Sequence, residues 1–142
     1  LHPKAASFTA KQQRTVSNQQ RSRGVVVVEG PFDLLTALAW CLPTPCVALV
    51  GTYANAQQAA EVMALAQGGP IWLALDADVA GDTGATRLQA QLALAGCGAQ
   101  VRRLPIPEHA KDLSELVMSP TARRMVAMTL ADADTRQRTG GN

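Results

Sequence analysis

Apolar and polar positions follow two rhythms along this chain. Short unbroken apolar runs alternate with longer stretches in which apolar residues recur at helical spacing. Val25-Val26-Val27-Val28 is a β-branched run of the kind found in a strand covered on both faces. Cys46 to Val50 and Ile71 to Leu75 repeat that pattern, and Gln100 to Leu104 is a more polar version suited to a sheet edge. Between the runs, Pro31 fits a first helical turn, and Leu34, Leu35, Ala37, Leu38 and Trp40 carry a helix toward Pro43. Asn55 is a capping residue for a helix through Ala59, Val62, Met63 and Leu65, stopped at Gly68-Gly69. A third helix is expected from about Gly81 to Ala95, with Leu88, Leu92 and Ala95 on one face. Lys111 to Val117 begins a short helix, and residues 121–131 form an amphipathic one. Asp132 to Asn142 reads as a frayed tail.

Strand and helix therefore alternate four times. That order predicts an α/β fold with a parallel sheet, helices on both faces and right-handed crossovers. The length of 142 residues suits one domain, placed at residues 24–118. Residues 1–23, rich in Gln, Ser, Lys and Arg without a period, read as a basic flexible arm or linker. Residues 119–142 supply the last helix and the tail. The chain starts with Leu1, so a piece of a longer protein is expected.

Charge sharpens this division. Residues 1–23 hold five bases and no acid, residues 24–118 four bases and nine acids, and residues 119–142 four arginines and two aspartates. An acidic core thus lies between basic flanks. A basic flank can meet a phosphate backbone, although a solvated tail has the same composition. No apolar run reaches ~18 residues, so no membrane span is expected. Cys41, Cys46 and Cys97 form no C-x-x-C pair and read as buried thiols of a cytoplasmic protein.

The acids are not scattered. Seven of the core's nine lie in or beside strand-end loops: Glu29, Asp33, Asp76, Asp78, Asp82, Asp112 and Glu115. Carboxylates at the tip of an apolar strand repel one another and resist desolvation. An aspartate capping a helix explains one of them; a hard divalent cation explains several. In a parallel sheet, sites form beyond the carboxyl ends of strands where strand order reverses. With strands ordered 2-1-3-4, Glu29, Asp76 and Asp78 would converge there as a magnesium site. Neither a G-x-x-x-x-G-K-[ST] loop nor a G-x-G-x-x-G fingerprint occurs. Trp40 and Trp72 read as core, His109 as exposed, and Arg102-Arg103 as either a solvated edge or a nucleic-acid contact.

These motifs resemble a known family. Glu29-Gly30-Pro31-Phe32-Asp33 is similar to the E-G-x-x-D motif of Toprim domains, and Asp76-Ala77-Asp78-Val79-Ala80-Gly81 to their D-x-D-x-x-G motif. Asp33, the segment VALVGT ending at Gly51-Thr52, and Lys111-Asp112-Leu113-Ser114-Glu115 resemble the bacterial-type DNA primase branch. The resemblance implies a Rossmann-like Toprim fold. It implies Mg²⁺, with Mn²⁺ as a substitute, held by Glu29, Asp76 and Asp78, with Glu29 alternatively moving a proton. It further implies that Asp33 orients the site, that Gly30 and Gly81 allow close backbone approach, and that Lys111, Asp112 and Glu115 line it. The implied activity is nucleotidyl transfer, making RNA primers on a single-stranded DNA template from nucleotides, with a replicative helicase or further domains as partners. A Toprim nuclease and a non-catalytic nucleic-acid-binding module are the alternatives.

Overall fold

In the computed structural model of the chain, the described residues are 8–9, 23–50, 54–107 and 109–140. Five strands form one sheet: β1 (Phe8–Thr9), β2 (Val25–Val28), β3 (Cys46–Ala48), β4 (Ile71–Ala74) and β5 (Val101–Arg103). Their order is β1-β3-β2-β4-β5. The pairs β3–β2, β2–β4 and β4–β5 are parallel, so the four strands after residue 24 have the expected order 2-1-3-4. The helices are α1 (Pro31–Ala39), α2 (Ala56–Ala66), α3 (Val79–Leu94) and α4 (Pro120–Thr139).

All four valines of β2 are fully buried, as an unbroken β-branched run demands. Their side chains alternate between two cores. Val26 and Val28 pack with Leu34 and Ala37 of α1 and Val126 and Leu130 of α4. Val25 and Val27 pack with Val62 of α2 and Leu88 and Leu92 of α3. Helices therefore cover both faces. Asn55 caps α2, accepting from the Gln58 N–H at 2.8 Å, while the Gln58 side chain returns a bond to the Asn55 N–H at 3.0 Å. The buried Gln58 also donates to the Leu49 carbonyl at 3.2 Å, bracing the end of β3.

Three expectations change. Phe8–Thr9, inside the segment read as an arm, pairs antiparallel with Val47–Ala48 at the sheet edge. Two residues are too few for a period to be visible; the rest of the arm to residue 22 lies outside the described residues. The segment read as a frayed tail is helical to Thr139, because Ala133 is buried against the core and Arg and Gln favour helix. Only Gly141 and Asn142 of that segment lie outside the described residues. Of the three cysteines, Cys46 is buried, Cys97 is half-buried and Cys41 is exposed. Cys41 follows the end of α1 with a positive φ of 54°, where the chain turns outward. Among the described residues, no helix is long and apolar enough to cross a membrane.

Candidate functional site

β2 and β4 lie side by side, and each runs directly into acid. Val28 pairs with Ala74, so Glu29 and Asp76 leave the sheet at adjoining strand ends. Glu29 Oε2 accepts a hydrogen bond from the Asp76 backbone N–H at 3.4 Å. Burial first, and then the Asp76 charge, push the Glu29 carboxyl above its usual range.

Asp78 divides its two oxygens between two tasks. Oδ1 accepts from the Gly81 N–H at 2.7 Å and caps α3, while Oδ2 faces Lys111. The helix consequently starts at Val79, two residues before the expected Gly81. The Gly81 hydrogen bond, assisted by Lys111, holds the Asp78 carboxyl below the usual range. Lys111 Nζ lies 3.4 Å from Asp78 Oδ2 and 3.4 Å from Asp76 Oδ2. One ammonium thus bridges the aspartate pair, and hydrogen bonding to Asp76 and then Asp78 holds it above the usual lysine range. The repulsion between Asp76 and Asp78 is thus partly offset by a residue of the chain itself.

The loop around Lys111 is stitched to both motifs. The Ala77 N–H donates to the Lys111 carbonyl at 2.7 Å. The Ser114 N–H donates to Asp33 Oδ1 at 3.0 Å, and the Gly30 N–H donates to Asp33 Oδ2 at 3.4 Å. Asp33 is only 5% exposed; burial pushes its carboxyl up, opposed by the Ser114 bond. Asp112 and Glu115 shape the loop from within. Asp112 Oδ1 accepts from Ser114 Oγ at 2.7 Å and from the Glu115 N–H at 3.0 Å, and Glu115 Oε2 accepts from the Lys111 N–H at 2.8 Å. Of the three residues expected to line the site, Lys111 reaches the aspartates through its side chain.

The two motif glycines differ. A Cβ on Gly81 would run into the Asp76 carbonyl oxygen and lie 2.8 Å from its carbonyl carbon. Helix α3 packs so closely on the strand end that no side chain fits. At Gly30 an added Cβ would meet only Asp33 Oδ2 at 3.7 Å. The fold itself leaves room there. Asp82, counted with the strand-end acids, points to Arg103 across 3.1 Å on the exposed side of α3. Gly51-Thr52 lie outside the described residues. Trp40 and Trp72 are core, with Arg102 stacked 5.7 Å from the Trp72 ring centroid, and His109 is exposed.

The aspartate cap weighed from the sequence is Asp78, which caps α3 while its other oxygen faces Lys111. Sequence reasoning missed one connection. The Ser114 bond to Asp33 was not readable, because it joins residues 81 apart through a backbone group.

Among the described residues, no three His, Cys, Asp or Glu side chains close around a point as metal ligands would. The donors do fit a magnesium-type ion. Asp76 and Asp78 already share one cation through oxygen atoms, and magnesium commonly takes one or two carboxylates while waters and substrate phosphates complete its shell.

A profile of the family described as Toprim-like matches residues 26–117. No curated protein sequence matches the chain. Among solved structures, the primase fragment of the bacteriophage T7 primase-helicase is 25% identical, with a TM-score of 0.60, over 79% of this chain and 45% of that one. A DNA primase domain from Pseudomonas aeruginosa is 24% identical, with a TM-score of 0.62, over 85% of this chain and 36% of that one. The DnaG catalytic core is 22% identical, with a TM-score of 0.63, over 89% of this chain and 40% of that one. The chain spans less than half the length of each. The profile match runs from β2 to the loop that carries Lys111 and takes in both acid-bearing strand ends. By that match, the chain belongs to the Toprim-like family.

Proposed function

We propose that this chain is the metal-dependent nucleotidyl-transfer domain of a DNA-primase-like protein that makes RNA primers on single-stranded DNA. One observation carries the reading: at the end of β4, Asp76 and Asp78 share a single cation beside Glu29, in a fold similar to primase catalytic domains. When bound, Mg²⁺ or Mn²⁺ would supply charge stabilisation at the attacking and leaving oxygens of phosphoryl transfer. Asp76 and Asp78 would hold it. Asp78 is preset for this, because the Gly81 N–H fixes one oxygen and leaves the other directed at the cation.

Glu29 sits one strand away with a raised carboxyl pKa, which suits a group that takes a proton from an attacking hydroxyl. Asp33 does not need to touch substrate in this reading; it positions the Lys111 loop. Single-stranded template and nucleotides are the binding partners. A helicase partner is proposed by analogy with the T7 protein, itself a primase-helicase. The setting would be cytoplasmic.

The test is the product. The full-length protein is supplied with single-stranded DNA, ribonucleotides and Mg²⁺. Short RNA is expected, and it should vanish in the double variant Asp76→Ala/Asp78→Ala. Shortened template without RNA would replace this reading with a Toprim nuclease. Template binding with neither product would leave a non-catalytic binding module.

A further inference from the structure

We infer that Lys111 is a built-in counter-cation that occupies the aspartate pair in the absence of metal and competes with a divalent ion for the same oxygens. The inference rests on the proposed metal-binding role of Asp76 and Asp78. The Lys111 ammonium lies 3.4 Å from Oδ2 of each aspartate. Asp78 Oδ1 already accepts the Gly81 N–H at 2.7 Å, which leaves Oδ2, the atom facing Lys111, as its less engaged oxygen. A metal bound between the aspartates through these Oδ2 atoms meets the atoms that Lys111 already holds.

The geometry also shows how displacement would work. The Lys111 backbone is pinned on both sides: its carbonyl accepts from the Ala77 N–H at 2.7 Å, and its N–H donates to Glu115 Oε2 at 2.8 Å. The loop need not move. The side chain is 53% exposed and ends in a flexible stem, so it can leave the aspartates for solvent by rotation alone. With the Lys111 end of both ion pairs half in solvent, the pairs are weak enough to exchange.

A consequence follows for loading. An ammonium released beside the site is free to meet an anion. A nucleoside triphosphate supplies phosphate oxygens to the metal and a partner to the displaced lysine together. Metal and nucleotide should thus bind more tightly together than separately, with Lys111 carrying part of that coupling. Two events that each disturb the pair Asp76–Lys111 become favourable when they coincide. Without nucleotide, the lysine keeps metal affinity low while preventing the two aspartates from repelling each other.

The test is Mn²⁺ binding by calorimetry, with and without a non-hydrolysable nucleoside triphosphate, on the wild type, Lys111→Met and Asp76→Asn/Asp78→Asn. Met keeps the backbone bonds of residue 111 and removes the charge. Lys111→Met should bind Mn²⁺ roughly three- to tenfold more tightly without nucleotide, the scale of one or two ion pairs with a solvated lysine. It should also unfold at a lower temperature without metal, regain that loss when Mn²⁺ is added, and show a smaller gain in Mn²⁺ affinity from nucleotide. Equal or weaker Mn²⁺ binding by Lys111→Met, with wild-type binding that is lost in Asp76→Asn/Asp78→Asn, would overturn the counter-cation while leaving the metal site standing. No Mn²⁺ binding by either wild type or Lys111→Met would overturn both.

Discussion

The Asp33 carboxylate accepts the Ser114 backbone N–H at 3.0 Å, joining the start of α1 to a loop 81 residues further along the chain. This bond places the first acidic motif and the Lys111 segment in one unit. Asp33 is buried, so leaving the Ser114 N–H unpaired should cost about 1–3 kcal/mol. Asp33→Ala is expected to lower stability in urea by that amount and to speed hydrogen exchange at the Ser114 amide. Asp33→Asn should keep the Ser114 bond and place an NH₂ toward the Gly30 N–H, giving an intermediate loss. Unchanged Ser114 exchange in the alanine variant would mean that Asp33 does not hold the loop.

The two motif glycines should respond differently to the same change. Gly81→Ala sets a methyl against the Asp76 carbonyl, and backbone cannot yield as a flexible side chain does. A loss of about 3 kcal/mol is expected, because overpacking here must push α3 off the strand end. Gly30→Ala has space within the chain and precedes α1 as its cap, so its cost should stay within about 1 kcal/mol. Its effect should appear instead as weaker nucleotide binding. Thermal melts of the two variants, together with nucleotide titration of Gly30→Ala, decide this. Equal melting losses would show that Gly30 is also required by the fold.

Helix α4 is held to the sheet by Val126, Leu130 and Ala133, one turn apart on a single face. Ala133→Asp places a carboxylate on that buried face. It should destabilise the domain by about 2 kcal/mol in chemical denaturation. Ala131→Asp, on an exposed position of the next residue pair, should change stability little. Similar effects from both would argue that the last turns of α4 are not packed.

The parallel sheet was readable because each buried strand is a continuous apolar run and each strand ends in Gly, Pro or acid. Val25–Val28 and Ile71–Ala74 needed no further context. The acidic strand ends were readable for a related reason: charge at the tip of an apolar run has few structural explanations. Partnerships between side chain and distant backbone were not readable. The Lys111 ammonium between two aspartates depends on where a loop returns after α3 and β5, and no local spacing encodes that return. Phe8–Thr9 was invisible because a two-residue edge strand carries no pattern. The length of α4 was underestimated because its last turns are mostly polar, although Ala133 is buried among them.

Glu29 should make the stability of the domain depend on pH. Burial and the neighbouring Asp76 charge raise its carboxyl pKa in the folded chain. The ionised form is therefore less favourable in the folded state than in the unfolded one. The favourable contribution of the protonated group is complete below the ordinary glutamate range and disappears as pH rises through the raised folded value. Glu29→Gln has no carboxyl to ionise, while its side-chain oxygen can still accept from the Asp76 N–H. Without metal, the variant should melt above the wild type at pH 7 by roughly 1–3 °C. The gap should close as pH falls below the ordinary glutamate range, to about 3.5, where the wild-type group is mostly protonated in both states. Mn²⁺ should narrow the gap at pH 7, because a cation at the aspartate pair favours the ionised glutamate beside it. Melting temperatures across that pH range, with and without Mn²⁺, provide the measurement. A gap that stays constant with pH would show that Glu29 is solvated like a surface residue, and its assignment as the proton acceptor would lose its physical basis.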